Sequence, residues 1–220
     1  YKGSLMGGTD YLFGGMTLVA YQSDLAMNTS ETNTDVAYIT AAQQSNARGY
    51  LLYNCTVTSA EPGTETASQY ISKPGYFGRP WQANTGEAVF FNTVIKTSNN
   101  PSFDGQSLIL PEAWLSSLGG ESVKSYEYGT TEESGVDNSA SRASWSTVLT
   151  EPKLTDGTEI TTFNFTKGSD NWDPIPALIA NDPATAIETI NGVDFRLYQF
   201  GNVVRLAGID SPTLVAIYTI

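Results

Sequence analysis

Two short segments of the chain contain side chains that could do chemistry. In the first, Asp10 stands among glycines and precedes an apolar stretch that includes Phe13. In the second, Arg79 follows a glycine and precedes Pro80-Trp81. Because the chain has no histidine, carboxylates or lysines would have to carry proton transfer in any enzyme built from it. Each segment also has a plain structural explanation, since Asp is a common turn residue and Arg stacks readily on Trp at protein surfaces.

The residue inventory excludes several classes of site and partner. The absence of histidine and the single cysteine, Cys55, exclude an internal disulfide, a Cys/His zinc cluster, and Ser-His-Asp or Cys-His catalysis. Cys55 lies in an apolar stretch without a base and is predicted to be a core thiol. With 11 Lys and Arg against 23 Asp and Glu, the net charge is −12, so we do not expect nucleic acid as a partner. No apolar run approaches the roughly 20 residues of a membrane span.

Short apolar stretches with a polar residue near the middle predict a β-rich domain with many turns. They are rich in aromatic and β-branched residues, and they lie at 18–22, 49–57, 88–95 and 162–165. Asn54 and Asn92 occupy equivalent places in two of them, with Gln22 in a weaker one, as expected of residues that turn the corner between solenoid strands. An antiparallel sandwich could produce the same stretches, so the pattern alone leaves both architectures open. We also predict one helical turn at 111–115 and a solvated loop at Glu132-Glu133.

Three phrases in a fixed order resemble the pectin methylesterase family. That family carries Gly-x-Val-Asp-Phe-Ile-Phe-Gly, then Ile-Thr-Ala-Gln, then Gly-Arg-Pro-Trp. The matching phrases here are Gly8-Thr9-Asp10-Tyr11-Leu12-Phe13-Gly14, Ile39-Thr40-Ala41-Ala42-Gln43 and Gly78-Arg79-Pro80-Trp81. The resemblance covers residues 1–176 and continues through 109–114, 126–128, Arg142 with Trp145, and 171–174. The combination is specific, although no single phrase would be, and the middle phrase brings no chemistry of its own.

The resemblance implies an all-β fold, a right-handed single-stranded parallel β-helix with a substrate cleft on one sheet. By position, Asp10 matches the family's nucleophilic aspartate and Arg79 matches the arginine that orients its carboxylate. Trp81 matches a tryptophan that packs against the sugar, and Phe13 is assigned to substrate binding with it. The implied reaction is hydrolysis of the methyl esters of polygalacturonate, the polymer of pectin, without a metal or organic cofactor. A carboxylate can attack such an ester and form an anhydride-like acyl-enzyme that water then hydrolyses.

The resemblance also predicts parts that should lie before Tyr1. The family's acid/base aspartate and the glutamines that hold the oxyanion lie upstream of the nucleophile, the aspartate by about one coil. Tyr1 is not Met and the chain opens in a predicted strand, so we expect preceding residues and expect this fragment by itself to be catalytically incomplete. The alternative hypothesis is a non-catalytic carbohydrate-binding or structural β-helix, and a third keeps the fold but changes the ester.

The last part of the chain differs in composition from the rest. We predict a β-helix domain over 1–178, a linker over 179–186 and a small β-rich appendage over 187–220, with strands at 193–198, 203–207 and 214–220. The appendage resembles the C-terminal sorting or anchoring domains of secreted Bacteroidetes-type proteins, and a small β appendage of unknown role fits as well. We therefore expect a secreted or cell-surface protein from a bacterium.

Overall fold

The computed structural model describes residues 1–28, 36–43, 48–60, 73–182, 187–190, 193–200, 203–208 and 214–219. Short strands dominate its first part. In chain order they are β1 (Ser4–Gly7), β2 (Leu12–Gly14), β3 (Leu18–Tyr21), β4 (Asp24–Met27), β5 (Tyr38–Ala42), β6 (Tyr50–Tyr53), β7 (Thr56–Ser59), β8 (Tyr76–Gly78), β9 (Ala88–Phe91), β10 (Val94–Ile95), β11 (Ser125–Tyr128), β12 (Thr131–Glu132) and β13 (Thr147–Val148).

These strands form three parallel sheets that run along one axis. The first sheet has the order β1-β4-β7-β10-β12, the second β13-β11-β9-β6-β3, and the third β2-β5-β8. As far as β9, three consecutive strands make one coil, and each of these coils adds one strand to each sheet. The later coils, β10 with β11 and β12 with β13, add strands to the first and second sheets alone. All pairings among β1–β13 are parallel. The domain is a parallel β-helix, as the resemblance implied, and the sandwich alternative is wrong.

Amide side chains turn the corner between the second and the first sheet. Gln22, Asn54 and Asn92 have φ angles of 49°, 53° and 49°, in the left-handed region that Asn adopts more easily than most residues. Nδ2 of Asn92 donates to Oδ1 of Asn54 over 3.3 Å, so successive corners are linked to each other. The prediction that these residues turn the corner is confirmed.

The interior of the coils is packed with apolar side chains from all three sheets. Representative members are Leu25, Ile39, Leu52, Val57, Phe77, Phe90, Ile95 and Trp114, each at most 3% exposed. Phe77 and Phe90 stack with ring centroids 4.0 Å apart. Cys55 is 1% exposed within this cluster, which confirms the predicted core thiol, and burial raises its pKa to about 11. Burial of apolar surface on this scale makes the coils rigid, so the side chains of the third sheet are held in fixed positions.

The outer face of the second sheet is covered by residues that follow β13. A second apolar cluster joins Leu51, Val89, Phe91, Tyr126, Leu154, Ile160 and Phe165. Its last member lies in α1 (Thr162–Thr166), so the strand predicted at 162–165 is wrong. One local and one tertiary cause favour the helix. The Thr161 side chain caps it by accepting from the Asn164 amide over 3.1 Å, and Phe165 packs in the outer cluster of the second sheet.

Two further local predictions are also wrong. The segment 111–115 forms a turn closed by the Ala113 amide and the Leu110 carbonyl at 2.9 Å, and a φ of 57° at Ala113 prevents a helical turn there. Glu132 is not solvated, because its side chain is 4% exposed and bonds to Asn138 and Arg142. Glu133 does face solvent, at 43% exposure.

A second compact unit, Pro174–Ile220, follows the first, Tyr1–Asp173. It contains α2 (Ile175–Ala180) and an antiparallel sheet in the order β14 (Ile187–Ile190), β15 (Val193–Phe200), β16 (Val203–Gly208) and β17 (Leu214–Thr219). Residues 183–186 of the expected linker lie outside the described residues. The domain boundaries and the sorting or anchoring role stay predictions. Within the described ranges, no helix is long and apolar enough to cross a membrane.

Candidate active site

The third sheet brings together the two segments that the sequence singled out. Its parallel register aligns Leu12 with Thr40, and Thr40 with Gly78. Asp10 lies in the turn just before β2, and Arg79 follows directly after β8. Residues 69 positions apart in the chain therefore meet across two strand spacings.

Asp10 and Arg79 form a two-pronged ion pair. Nε of Arg79 donates to Oδ1 of Asp10 over 2.8 Å, and Nη2 donates to Oδ2 over 2.7 Å. The two side chains are 15% and 17% exposed, so the pair is shielded but open to solvent on one side. Asp10 has a φ of 52°, a conformation that is uncommon outside glycine and that recurs at functional sites. This geometry holds both carboxylate oxygens in a defined plane.

The backbone around Arg79 explains how its side chain reaches this place. The Arg79 amide donates to the Thr40 carbonyl over 2.9 Å, and the Trp81 amide donates to the Ala42 carbonyl over 3.2 Å. Residues two apart on such an extended ladder project to the same side. A Cβ at Gly78 would collide with the side chain and the carbonyl of Thr40, so glycine allows β8 to approach β5 closely just before the arginine.

One aromatic ring of the same sheet contacts the arginine, and a second ring stacks on the first. Cζ of Arg79 lies 4.0 Å from the ring centroid of Tyr38, and Tyr38 stacks on Tyr76 at 5.3 Å. The Tyr76 hydroxyl donates to Oε1 of Glu112 over 3.2 Å. Burial, followed by the charge of Glu112, raises the pKa of Tyr76 to about 12. Sequence reasoning missed these residues, although Tyr38 and Tyr76 have the same spacing, 38 positions, as the corner residues Asn54 and Asn92.

Two exposed aromatic residues are close in sequence to the members of the ion pair. Phe13 comes three residues after Asp10, and Trp81 comes two after Arg79. The rings meet edge to face, with centroids 4.9 Å apart and an interplanar angle of 88°. Phe13 is 45% exposed and Trp81 37%. They form an apolar surface that a flat ligand can cover.

The sequence of the β-helix domain is similar to that of a known protein family. A model of the pectinesterase family matches residues 1–169, about three quarters of the chain. The chain belongs to the pectinesterase family. It is similar to the probable pectinesterase/pectinesterase inhibitor 64 of Arabidopsis thaliana, with 24% identity over 159 residues. The match covers 67% of this chain and 24% of the plant protein, so the chain spans about a quarter of that relative's length. No solved structure matches the chain.

A second ion cluster of this pectinesterase-family chain, apart from Asp10, is centred on the buried side chain of Arg142. Nε and Nη2 of Arg142 donate to the two carboxylate oxygens of Glu127 over 2.7 and 3.3 Å, and Glu132 lies 3.5 Å from Nη2. Arg142 also donates to the Pro111 carbonyl over 3.0 Å, which ties the segment after β12 to the turn before Trp114. This cluster therefore ties β11 and β12 to the segment that contains Arg142. Within the ranges that the structure describes, no group of three or more His, Cys, Asp or Glu residues could hold a metal ion.

Proposed function

We propose that the protein is a pectin methylesterase that hydrolyses the methyl esters of polygalacturonate with Asp10 as its nucleophile. The observation that carries the proposal is the two-pronged Asp10–Arg79 pair, set on the third sheet of a pectinesterase-family β-helix beside two exposed aromatic rings. Arg79 serves as the residue that orients the nucleophile. The chemical class, carboxylic ester hydrolysis, is that of the family.

The first half of the reaction transfers the acyl group to the protein. A carboxylate oxygen of Asp10 attacks the ester carbonyl carbon, the bond from that carbon to the methoxy oxygen breaks, and the departing methoxy group takes a proton and leaves as methanol. Each oxygen of Asp10 receives one hydrogen bond from Arg79, so a lone pair remains for attack. The paired guanidinium holds the carboxylate in one orientation, which removes rotational freedom before the chemical step.

The second half regenerates the carboxylate. Water gives one proton to the group that protonated methanol and attacks the carbonyl carbon of the substrate's acyl group. The bond to the Asp10 oxygen breaks, and the product leaves as a galacturonate carboxylate after releasing its proton to solvent. The proposal assigns the acid that protonates methanol, and the glutamine donors for the oxyanion, to sequence upstream of Tyr1, as the resemblance predicts.

The aromatic pair Phe13 and Trp81 supplies the substrate platform in this proposal. The faces of pyranose rings carry C–H groups that pack well on aromatic rings. A methylated galacturonate unit placed on this surface would lie beside the nucleophile, because each ring is within three chain positions of a member of the ion pair. The proposal includes secretion or display at the cell surface, where a pectin-degrading enzyme meets its polymer.

The test replaces Asp10 by asparagine in the complete gene product. Asn keeps the shape of the carboxylate but is not an anion, so methanol release from methylated polygalacturonate should be abolished, while pectin binding and the circular dichroism spectrum of the folded protein stay close to those of the unaltered protein. Asp24→Asn, the same chemical change at the start of β4 in another sheet, is the matched control and should retain activity.

Two results would contradict the proposal. Near-normal turnover in Asp10→Asn would place the chemistry elsewhere. Binding of methylated polygalacturonate by the unaltered gene product without any release of methanol would favour the alternative, a non-catalytic carbohydrate-binding β-helix.

A further inference from the structure

One aromatic side chain of the third sheet supports the arginine of the proposed active site. The guanidinium carbon of Arg79 lies 4.0 Å from the ring centroid of Tyr38, well within the distance at which a cation is attracted to a ring face. We propose that Tyr38 is a positioning residue for Asp10. Its ring fixes the plane of the Arg79 guanidinium and thereby the direction of the two carboxylate oxygens. This inference rests on the proposed function, because it assigns Tyr38 a role in that reaction.

The guanidinium group of Arg79 is planar. Nε and Nη2 of Arg79 both bond to Asp10, so the orientation of the guanidinium plane sets that of the carboxylate. Hydrogen bonds within the plane do not stop the long arginine side chain from tilting as a unit together with the carboxylate. A ring against the face of the guanidinium opposes that tilt, since the attraction weakens as the planes move apart.

Tyr38 is itself held in place. It is 9% exposed and stacks on Tyr76 with ring planes 6° from parallel. Tyr76 is anchored in turn by the hydrogen bond from its hydroxyl to Glu112. A continuous series of contacts thus runs from Glu112 through two rings to Arg79 and Asp10. The side chains come from successive coils, so the β-helix itself provides the support.

A second aromatic stack in the same domain provides a matched control. Tyr53, on β6 of the second sheet, stacks between Tyr21 at 5.5 Å and Phe91 at 4.7 Å. Replacing Tyr53 by leucine removes the same type of ring and the same type of stacking contact from a different sheet. If rings of this kind served only to hold coils together, the two leucine variants would behave alike.

The experiment compares Tyr38→Leu, Tyr38→Phe and Tyr53→Leu in the complete gene product. Methanol release should show kcat about tenfold lower in Tyr38→Leu, or about 1.4 kcal/mol in activation free energy, with KM within twofold. Tyr38→Phe keeps the ring face and should restore kcat to within about twofold. Tyr53→Leu should keep kcat, whatever its thermal stability. Should Tyr38→Leu fail to fold, Tyr76→Leu, which removes the ring behind Tyr38, takes its place with a smaller expected loss.

A spectroscopic measurement tests the contact without relying on activity. With ¹⁵N-labelled arginine, the Nε–Hε resonance of Arg79, assigned by its loss in Arg79→Lys, should carry a ring-current shift. That shift should vanish in Tyr38→Leu and persist in Tyr38→Phe. An unchanged resonance in Tyr38→Leu overturns the inference, as do equal losses of kcat in Tyr38→Leu and Tyr53→Leu, or failure of Tyr38→Phe to rescue. Absence of methanol release by the unaltered protein would refute the proposed function instead, and the resonance alone would then decide whether Tyr38 holds Arg79.

Discussion

Replacing Arg79 by lysine should separate the charge of this residue from its geometry. Arginine donates two hydrogen bonds to Asp10, at 2.8 and 2.7 Å, whereas an ammonium on a flexible stem can make only one of them with good geometry. A hydrogen bond to a charged group contributes about 1.5–3 kcal/mol. The side chains of Arg79 and Asp10 are 17% and 15% exposed, so solvent screening reduces this contribution little. Lysine should therefore lower kcat by about 10- to 150-fold.

The assay is release of methanol from methylated polygalacturonate by the complete gene product, with kcat and KM determined separately. KM should stay within about twofold, because the lost contact orients the nucleophile and does not touch the sugar. Arg48→Lys is the matched control: Arg48 is 19% exposed and pairs with Glu87 and Asp156, so it undergoes the same change at similar burial. A normal kcat in Arg79→Lys would refute the reasoning, and so would an equal loss in Arg48→Lys.

Three further predictions concern binding, stability and pH. Trp81→Ala should weaken substrate binding by about 1–3 kcal/mol, seen as a raised KM with a smaller change in kcat, and an unchanged KM would remove Trp81 from the platform. Arg142→Met leaves the carboxylate of Glu127, which is 3% exposed, without its cation, and should lower the free energy of unfolding in urea by about 3–5 kcal/mol. Lys96→Met, which breaks an ion pair that is 43% exposed on both sides, should change it little; equal effects would contradict the argument from burial. Burial raises the pKa of the Cys55 thiol from 9.0 to about 11, so the stabilising contribution of the neutral thiol is complete below pH 9 and lost as the pH rises towards 11. Between pH 9 and pH 11 the free energy of unfolding of the unaltered protein should fall by about 2–3 kcal/mol more than that of Cys55→Ala. Parallel pH profiles of the two proteins would refute this.

Some sequence-based interpretations failed where local pattern and tertiary contact disagree. The stretch 162–165 has the alternating apolar composition of a strand, yet it forms a capped helical turn, because Phe165 can reach the outer cluster of the second sheet from there. Glu132 belongs to a polar stretch that suggests a solvated loop, yet Arg142 and Asn138 bury it. In both cases the deciding partner lies outside the residues that carry the pattern. For α1 the partners include β3 and β6, which come much earlier in the chain.

The sequence by itself determined the family, the class of fold and the two segments that carry the candidate chemistry. The segments around Asp10 and Arg79 could be recognised because the local backbone restricts which residue types fit. Glycine is required where β8 approaches Thr40, and aspartate is favoured in a turn with positive φ. Tertiary structure alone decided that the carboxylate and the guanidinium meet through two hydrogen bonds, and that the guanidinium carbon of Arg79 lies over the Tyr38 ring. The physical reason is the register of a parallel β-helix. Strands of successive coils pair across loops of unequal length. Equal spacing marks some rows, such as Asn54 with Asn92, but the 69 positions between Asp10 and Arg79 do not show that these side chains meet until the coils are stacked.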